Sequence, residues 1–97
     1  METNNPGKLL NFLQTAQNDS RLNTWHLALI SALIQLAHLQ NEYRIIRVSR
    51  SRLMALSHIN TIPTYHRYFK QIQDFGYIKY IPSYHPDFRS TAEFLAF

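Results

Sequence analysis

The strongest constraint on the fold is a long stretch of apolar residues at helical spacing. Apolar side chains recur every three or four positions at Trp25, Ala28, Leu29, Ala32, Leu33, Leu36 and Ala37. Thr24 is a favourable N-cap, so the pattern predicts a helix from Thr24 to Gln40. Ile30 and Ile34 widen its apolar stripe beyond one face. We therefore expect this helix at the centre of the core or partly in a subunit interface, with Trp25 as a core or interface anchor.

Six other segments have a recognisable period and end signals. Helical spacing predicts a short helix over 8–16, another from residue 50 to about 57 and a third over 62–75. Runs rich in β-branched and aromatic residues predict strands over 43–48, 77–81 and 91–97. The expected fold class is α+β, in the order helix, helix, strand, helix, helix, strand, strand. Residues 1–7 are expected to be a flexible lead, and 8–97 to form one domain.

The helix over 62–75 has the clearest end signals. Pro63 lies in its first turn, where a missing N–H costs nothing, and Gly76 is placed to stop it. Its spacing turns Tyr65, Phe69 and Ile72 inward. For the helix before it, Ser49 is the expected N-cap.

Composition excludes several classes of protein. The chain of 97 residues has no cysteine, which excludes disulfides, thiolate zinc sites and cysteine nucleophiles and fits a cytoplasmic location. Its first residues lack the basic flank and apolar core of a signal peptide. The longest apolar stretch, 27–39, is interrupted by polar residues and is too short to cross a bilayer, so no membrane association is expected.

The charge is unevenly distributed along the chain. The net charge of +4 divides into −1 over residues 1–43 and +5 over residues 44–97. A polyanion would therefore bind the second half, although a solvated basic surface accounts for the same numbers.

Two segments in the second half of the chain carry a recognisable motif. The segment 64–78 begins Thr-Tyr-His-Arg and ends Phe-Gly-Tyr-Ile. It is similar to the recognition helix and first wing strand of bacterial winged-helix regulators of the MarR-like, GntR-like and replication-initiator families. The segment 48–57 resembles their supporting helix. The likeness is closest to small winged-helix proteins of bacterial mobile elements and covers about residues 22–97. It implies a winged helix-turn-helix fold with a small antiparallel sheet. The chain differs in its aromatic wing tip, where Arg89 is the only nearby cation.

This resemblance implies a surface that binds double-stranded DNA. On the helix over 62–75 the outward positions are Thr61, Thr64, His66, Arg67, Lys70 and Gln71. Arg67 can read guanine in the major groove, and Thr64 can touch a base methyl group or a phosphate. The supporting helix would contribute Ser49, Arg50 and Arg52 to the phosphate backbone. The wing would contribute Lys79, Tyr84, His85 and Arg89.

The implied function is that of a transcriptional regulator or an accessory or replication factor of a mobile element. So few cations on one small domain predict a homodimer through the first two helices. No cofactor or small-molecule ligand is expected. A winged-helix module that docks a larger replication or transfer protein is the main alternative, and single-strand binding by Tyr77, Tyr80 and Tyr84 is a more distant one. The histidines lack partners at metal-ligand spacing, and the acidic residues are scattered, so neither a metal site nor an enzyme is predicted.

Overall fold

The computed structural model describes residues 6–95, which form four helices and a three-stranded antiparallel sheet in an α+β arrangement. The elements are α1 (Pro6–Gln17), α2 (Thr24–Gln40), β1 (Ile45–Val48), α3 (Arg50–Ser57), α4 (Ile62–Asp74), β2 (Ile78–Ile81) and β3 (Ser90–Phe94). Their order is the predicted one. The helix α1 begins at Pro6, so the last two residues of the expected lead are helical, and residues 1–5 lie outside the described part. Of the strand expected over 91–97, the last two residues also lie outside it.

The start of α2 differs from the prediction, because the N-cap is Asn23 and not Thr24. The Asn23 side chain accepts hydrogen bonds from the backbone N–H groups of Trp25 and His26. In return, Nδ1 of His26 accepts the Asn23 N–H at 2.8 Å. This reciprocal pair is a capping box in which a histidine takes the position usually held by Glu or Gln, and it satisfies donors that the first turn would otherwise leave free.

The sheet has β3 at its centre, in the order β1-β3-β2. Ala92 of β3 pairs with Ile46 of β1 on one side and with Tyr80 of β2 on the other. Because side chains alternate along a strand, these residues share the face that packs on the helices. The hairpin β2-β3 thus returns the chain to β1 after the two helices α3 and α4.

The core lies between α2, α1, α4 and the inner face of the sheet. Leu29, Leu33, Leu53 and Ile72 are fully buried, and Phe12 of α1 packs edge-on against Tyr77 and Phe94. Ile30 is also fully buried, so this residue of the wide apolar face of α2 lies in the core.

Trp25 does not lie in the core. Its side chain is 43% exposed and stacks on Tyr68 of α4, with ring centroids 6.3 Å apart and planes inclined by 22°. The capping box explains this placement, because it turns His26 inward at the first turn of α2 and leaves Trp25 at the rim. Of the two roles expected for Trp25, that of a core anchor is therefore wrong, and that of an interface anchor stays a prediction.

The loop between α1 and α2 is tied to the end of α4. The Tyr77 hydroxyl donates to Asp19 Oδ2 at 2.7 Å, and Arg21 bonds the same carboxylate at 2.6 Å while its guanidinium lies over the Phe75 ring. The bonds from Arg21 and Tyr77 hold the pKa of Asp19 well below its usual range. Burial, followed by the bond to Asp19, raises the pKa of Tyr77 to about 12.

Candidate nucleic-acid interface

The inward and outward sides of α4 are clearly separated. Tyr65, Phe69 and Ile72 are buried, as predicted. The Tyr65 and Phe69 rings stack at 5.2 Å, and Phe69 meets Tyr80 of β2 edge-on at 5.2 Å. This packing fixes the rotation of α4 against the sheet. It leaves His66, Arg67 and Lys70 exposed on the opposite side.

The N-terminus and the C-terminus of α4 differ in their capping contacts. At the N-terminus, Thr61 is the N-cap residue but does not bond the helix backbone, and its hydroxyl donates to that of Thr64 at 2.7 Å. Pro63 lies in the first turn, as predicted. At the C-terminus, Gly76 has φ +86°, a conformation that side chains disfavour, and the Tyr77 N–H returns to the Ile72 carbonyl. The backbone N–H groups in the first turn of α4 therefore donate no hydrogen bond to the N-cap side chain.

Gln71 is not an outward residue, which corrects the prediction. Its side chain is half-buried, and Oε1 accepts a hydrogen bond from Nε2 of His26 at 2.6 Å. Nε2 is the donor in this bond, because Nδ1 already accepts the Asn23 N–H. His26 itself is 2% exposed. This contact joins the N-terminus of α2 to the middle of α4 and removes Gln71 from the candidate surface.

The outward cations of α4 differ in their partners. Lys70 pairs with Asp74 one turn later at 3.2 Å, which reduces the positive potential at that end of the helix. The Arg67 guanidinium lies 5.4 Å from the centre of the Tyr68 ring, which also contacts the rings of Trp25 and His26. Arg67 and Trp25, which are exposed, therefore both contact the half-buried Tyr68 ring on this side of α4. Sequence reasoning missed Trp25 and Tyr68 because nothing local shows that the two rings meet.

Arg50 connects α4 to the hairpin. It lines one groove of about 410 Å³ with Tyr65, His66 and Lys70, and a second of about 380 Å³ with Ser49 and Arg89. The Ser49 side chain accepts the Arg52 N–H at 3.2 Å, which confirms Ser49 as the N-cap of α3. Burial raises the pKa of Tyr65, and the charge on Arg50 opposes that shift. The two grooves thus join five of the predicted residues into one surface, which are His66 and Lys70 of α4, Ser49 and Arg50 at the start of α3, and Arg89 of the loop before β3.

Three of the residues that were predicted to form a wing lie in different places. Lys79 lies on the outer face of the sheet, because its neighbour Tyr80 faces α4 and strand side chains alternate. Its register partner there is Glu93. Tyr84 is 91% exposed in the loop between β2 and β3. His85 lies in the same loop, 3.9 Å from the Asp87 carboxylate. Lys79 is therefore not brought together with α4.

Most cations of this surface have no acidic partner. Over residues 6–95, the arginines that form no ion pair are Arg47, Arg50, Arg52, Arg67 and Arg89. Guanidinium groups stay charged at any physiological pH, so Arg50, Arg52, Arg67 and Arg89 keep a positive potential on the side of α3, α4 and the loop before β3. Arg47 alternates with the buried Ile46 and Val48 and lies on the outer face of the sheet, as Lys79 does.

Other kinds of site have less support. No group of three His, Asp or Glu side chains at metal-binding distance occurs among the described residues. None of the described helices is long and apolar enough to cross a membrane. Comparison of the chain with protein-family models, with curated proteins and with solved structures finds no match.

Proposed function

We propose that the chain is a winged helix-turn-helix protein that binds double-stranded DNA sequence-specifically, with α4 in the major groove. The single observation that carries the proposal is the outward side of α4. It is uncovered, carries Arg67 and His66, and continues through Arg50 to Arg89 of the hairpin loop. An exposed helix face of this kind, next to unpaired cations on two neighbouring elements, has the shape and charge that a DNA groove requires.

The strand order supports the winged-helix assignment. A winged helix consists of a helix, a strand, a helix-turn-helix pair and a two-stranded wing whose last strand returns beside the first. The order β1-β3-β2, with α3 and α4 between β1 and β2, is compatible with this arrangement. In this assignment α2 is the first helix of the fold, α1 is an N-terminal addition, and residues 82–89 form the wing.

The proposed contacts are of two kinds, those that recognise a base and those that bind the phosphate backbone. Arg67 reads a guanine edge, since two of its N–H groups can bond O6 and N7 together. Arg50, Arg52 and Arg89 hold the phosphate backbone. Lys79 is left out because it lies on the opposite face of the sheet. The physiological role would be that of a transcriptional regulator or of an accessory or replication factor of a mobile element.

We further propose that the protein acts as a homodimer through α1 and α2. A groove of about 430 Å³ between these helices is lined by Leu10, Leu13, Ile34 and Tyr43. Leu10 is 56% exposed there. The polar side chains of the groove carry no permanent charge, so two copies can meet without repulsion. Ile30, expected in such an interface, is fully buried within the monomer.

Light scattering during gel filtration tests the dimer. Leu10→Asp places a carboxylate in the groove and should convert the dimer to a monomer, whereas Asn11→Asp adds the same charge at a neighbouring exposed position and should not. A wild-type protein that elutes as a monomer at all concentrations would refute this proposal.

Fluorescence anisotropy with labelled duplexes tests DNA binding. A duplex selected from a random pool should bind more tightly than a random duplex, and affinity should fall steeply with salt because phosphate contacts release counterions. Arg67→Ala should lose about 1–3 kcal/mol on the selected duplex alone, and Arg50→Ala should weaken both duplexes alike. Arg44→Ala removes an exposed arginine that pairs with Glu93 away from α4, and its affinities should stay close to wild type.

Two results would overturn the proposal. The absence of binding to any duplex at low salt would exclude DNA as the ligand. Equal losses on both duplexes for Arg67→Ala and Arg50→Ala would mean that α4 does not read bases. A protein partner bound without salt dependence would instead favour a winged-helix interaction module, for which the exposed Tyr84 and Phe88 would be the first candidates.

A further inference from the structure

The Tyr68 ring lies between Arg67 of α4 and the first turn of α2. It is half-buried, and the Arg67 guanidinium lies over it, 5.4 Å from its centre. The Trp25 ring stacks on it at 6.3 Å, and the His26 ring meets it edge-on at 4.9 Å. A cation within about 6 Å of an aromatic ring centre is attracted by the negative face of the ring. One ring is therefore in contact with the arginine of α4 and with two rings of α2.

The part of α2 that contacts Tyr68 is held in place by hydrogen bonds. His26 is 2% exposed, and its ring bonds the Asn23 N–H at 2.8 Å and the Gln71 side chain at 2.6 Å. The Trp25 backbone N–H donates to the Asn23 side chain at 2.9 Å. The capping box thus fixes the backbone that carries both rings of α2, and these rings restrict where the Tyr68 ring can lie.

The contact with Tyr68 leaves the Arg67 guanidinium available to a ligand. Within residues 6–95, Arg67 forms no ion pair, whereas Lys70, the next cation of α4, pairs with Asp74 at 3.2 Å. A carboxylate partner would accept hydrogen bonds from two of the guanidinium N–H groups, whereas attraction to a ring through the charge leaves these donors for a ligand. Arg67 is therefore held and still able to donate two hydrogen bonds to a guanine edge.

Arg67 differs in this respect from the other cations that are proposed to bind DNA. Within the described part of the chain, the arginines that lie over an aromatic ring are Arg21 and Arg67, and Arg21 is paired with Asp19 in the loop between α1 and α2. A long side chain that moves freely loses conformational entropy when a ligand orders it, and a side chain that is already held loses less. Recognition of a base requires a defined orientation, so this saving matters most for Arg67.

We propose that Tyr68, supported by Trp25 and His26, is a positioning residue that orders the Arg67 guanidinium in the free protein for its contact with guanine. Tyr68 itself does not contact the base. Its effect is on discrimination between DNA sequences and not on general affinity, since the phosphate contacts are made by other side chains. The step from an ordered Arg67 to discrimination rests on the proposed function, whereas the ordering of Arg67 in the free protein does not.

Nuclear magnetic relaxation of the arginine Nε–H groups, measured on the full chain without DNA, tests the ordering. The Arg67 Nε–H should have a higher order parameter than that of Arg52, which is exposed and lies over no ring within residues 6–95. In Tyr68→Leu the Arg67 value should fall to that of Arg52, and in Tyr68→Phe, which keeps the ring, it should stay at the wild-type value. Phe75→Leu is the matched control, because it removes the ring that lies 4.5 Å from the Arg21 guanidinium, and it should leave Arg67 unchanged.

Fluorescence anisotropy with the selected and the random duplex tests discrimination. Tyr68→Leu should bind the selected duplex about fivefold more weakly than the wild type, equivalent to about 1 kcal/mol for ordering one long side chain. Its affinity for the random duplex should stay within about twofold of the wild type, because the phosphate contacts are intact. Tyr68→Phe and Phe75→Leu should bind both duplexes as the wild type does.

Because Tyr68 is half-buried, urea denaturation establishes first that each variant is folded under the conditions of the binding assay. The relaxation measurement on the wild type needs no variant, and an Arg67 as mobile as Arg52 would overturn the inference. An unchanged ratio of the two affinities in Tyr68→Leu, or an equal loss in Tyr68→Phe, would overturn it as well. If Arg67 is ordered as expected and the wild type binds no duplex, the proposed function fails and the ordering of Arg67 by Tyr68 stands.

Discussion

His26 offers the sharpest test of how this fold is held together. Its ring is 2% exposed and bonds in two directions, to the Asn23 N–H at 2.8 Å and to Gln71 at 2.6 Å. It also packs edge-on against Tyr68 with ring centroids 4.9 Å apart. One side chain therefore caps α2 and fastens it to α4. Its replacement should affect both the helix start and the helix-helix contact.

The free energy of unfolding that is lost when His26 is replaced has two parts, one from its hydrogen bonds and one from the volume of its ring. His26→Leu keeps most of the volume and loses two hydrogen bonds, each worth about 1 kcal/mol net, so the free energy of unfolding should fall by about 2 kcal/mol. His26→Ala also leaves a cavity, and large-to-small substitutions of buried rings cost about 3–5 kcal/mol. The loss is large beside the total stability of about 5–15 kcal/mol expected for a domain.

Urea denaturation followed by circular dichroism measures these differences. Gln71→Ala, combined with His26→Leu in a double-mutant cycle, should give a coupling free energy of about 1 kcal/mol for the bond between the two side chains. His66→Leu replaces an exposed histidine of α4 and should change stability by less than about 0.5 kcal/mol. If His26→Leu proved as stable as the wild type, or the coupling were zero, His26 would not be the link between α2 and α4.

Three further predictions concern stability. Leu53→Ala opens a cavity at a fully buried position of α3 and should cost about 2–5 kcal/mol by urea denaturation. Gly76→Ala meets no atom within 4 Å, so its expected cost of about 1–2 kcal/mol comes from φ +86° alone, and a neutral result would refute that reasoning. The third is pH dependence. The lowered pKa of Asp19 means that its contribution is present above the unfolded value of about 3.9 and is lost as the pH falls below it. The raised pKa of Tyr77 means that its contribution is lost as the pH rises from about 10 through about 12. In Asp19→Asn, the free energy of unfolding should depend less on pH in the acid range than in the wild type. In Tyr77→Phe, it should depend less on pH in the alkaline range.

The helices and strands could be predicted because their signals are local. The apolar spacing of α2 and α4, the cap at Ser49, and the stop at Gly76 all depend on residues within one or two turns of each other. Where two adjacent residues could both cap a helix, other local contacts decided between them. Asn23 rather than Thr24 caps α2 because His26 can return the bond to the Asn23 backbone.

The candidate surface could be predicted only in part. The rotation of α4 followed from its apolar face, which placed His66, Arg67 and Lys70 outward. Gln71 was misplaced because its partner is 45 residues away in the chain. The face on which Lys79 lies depends on strand register, and a shift by one residue would reverse it.

By itself, the sequence determined the order of the elements, their approximate bounds and the inward side of α4. These properties arise from backbone hydrogen bonds and side-chain spacing over a few residues, which any stretch of chain carries with it. The tertiary structure decided which cations share a surface, that Trp25 stacks on Tyr68, and that His26 of α2 bonds Gln71 of α4. Such contacts join residues distant in sequence, and their geometry exists only after the core has packed and the sheet register has been set.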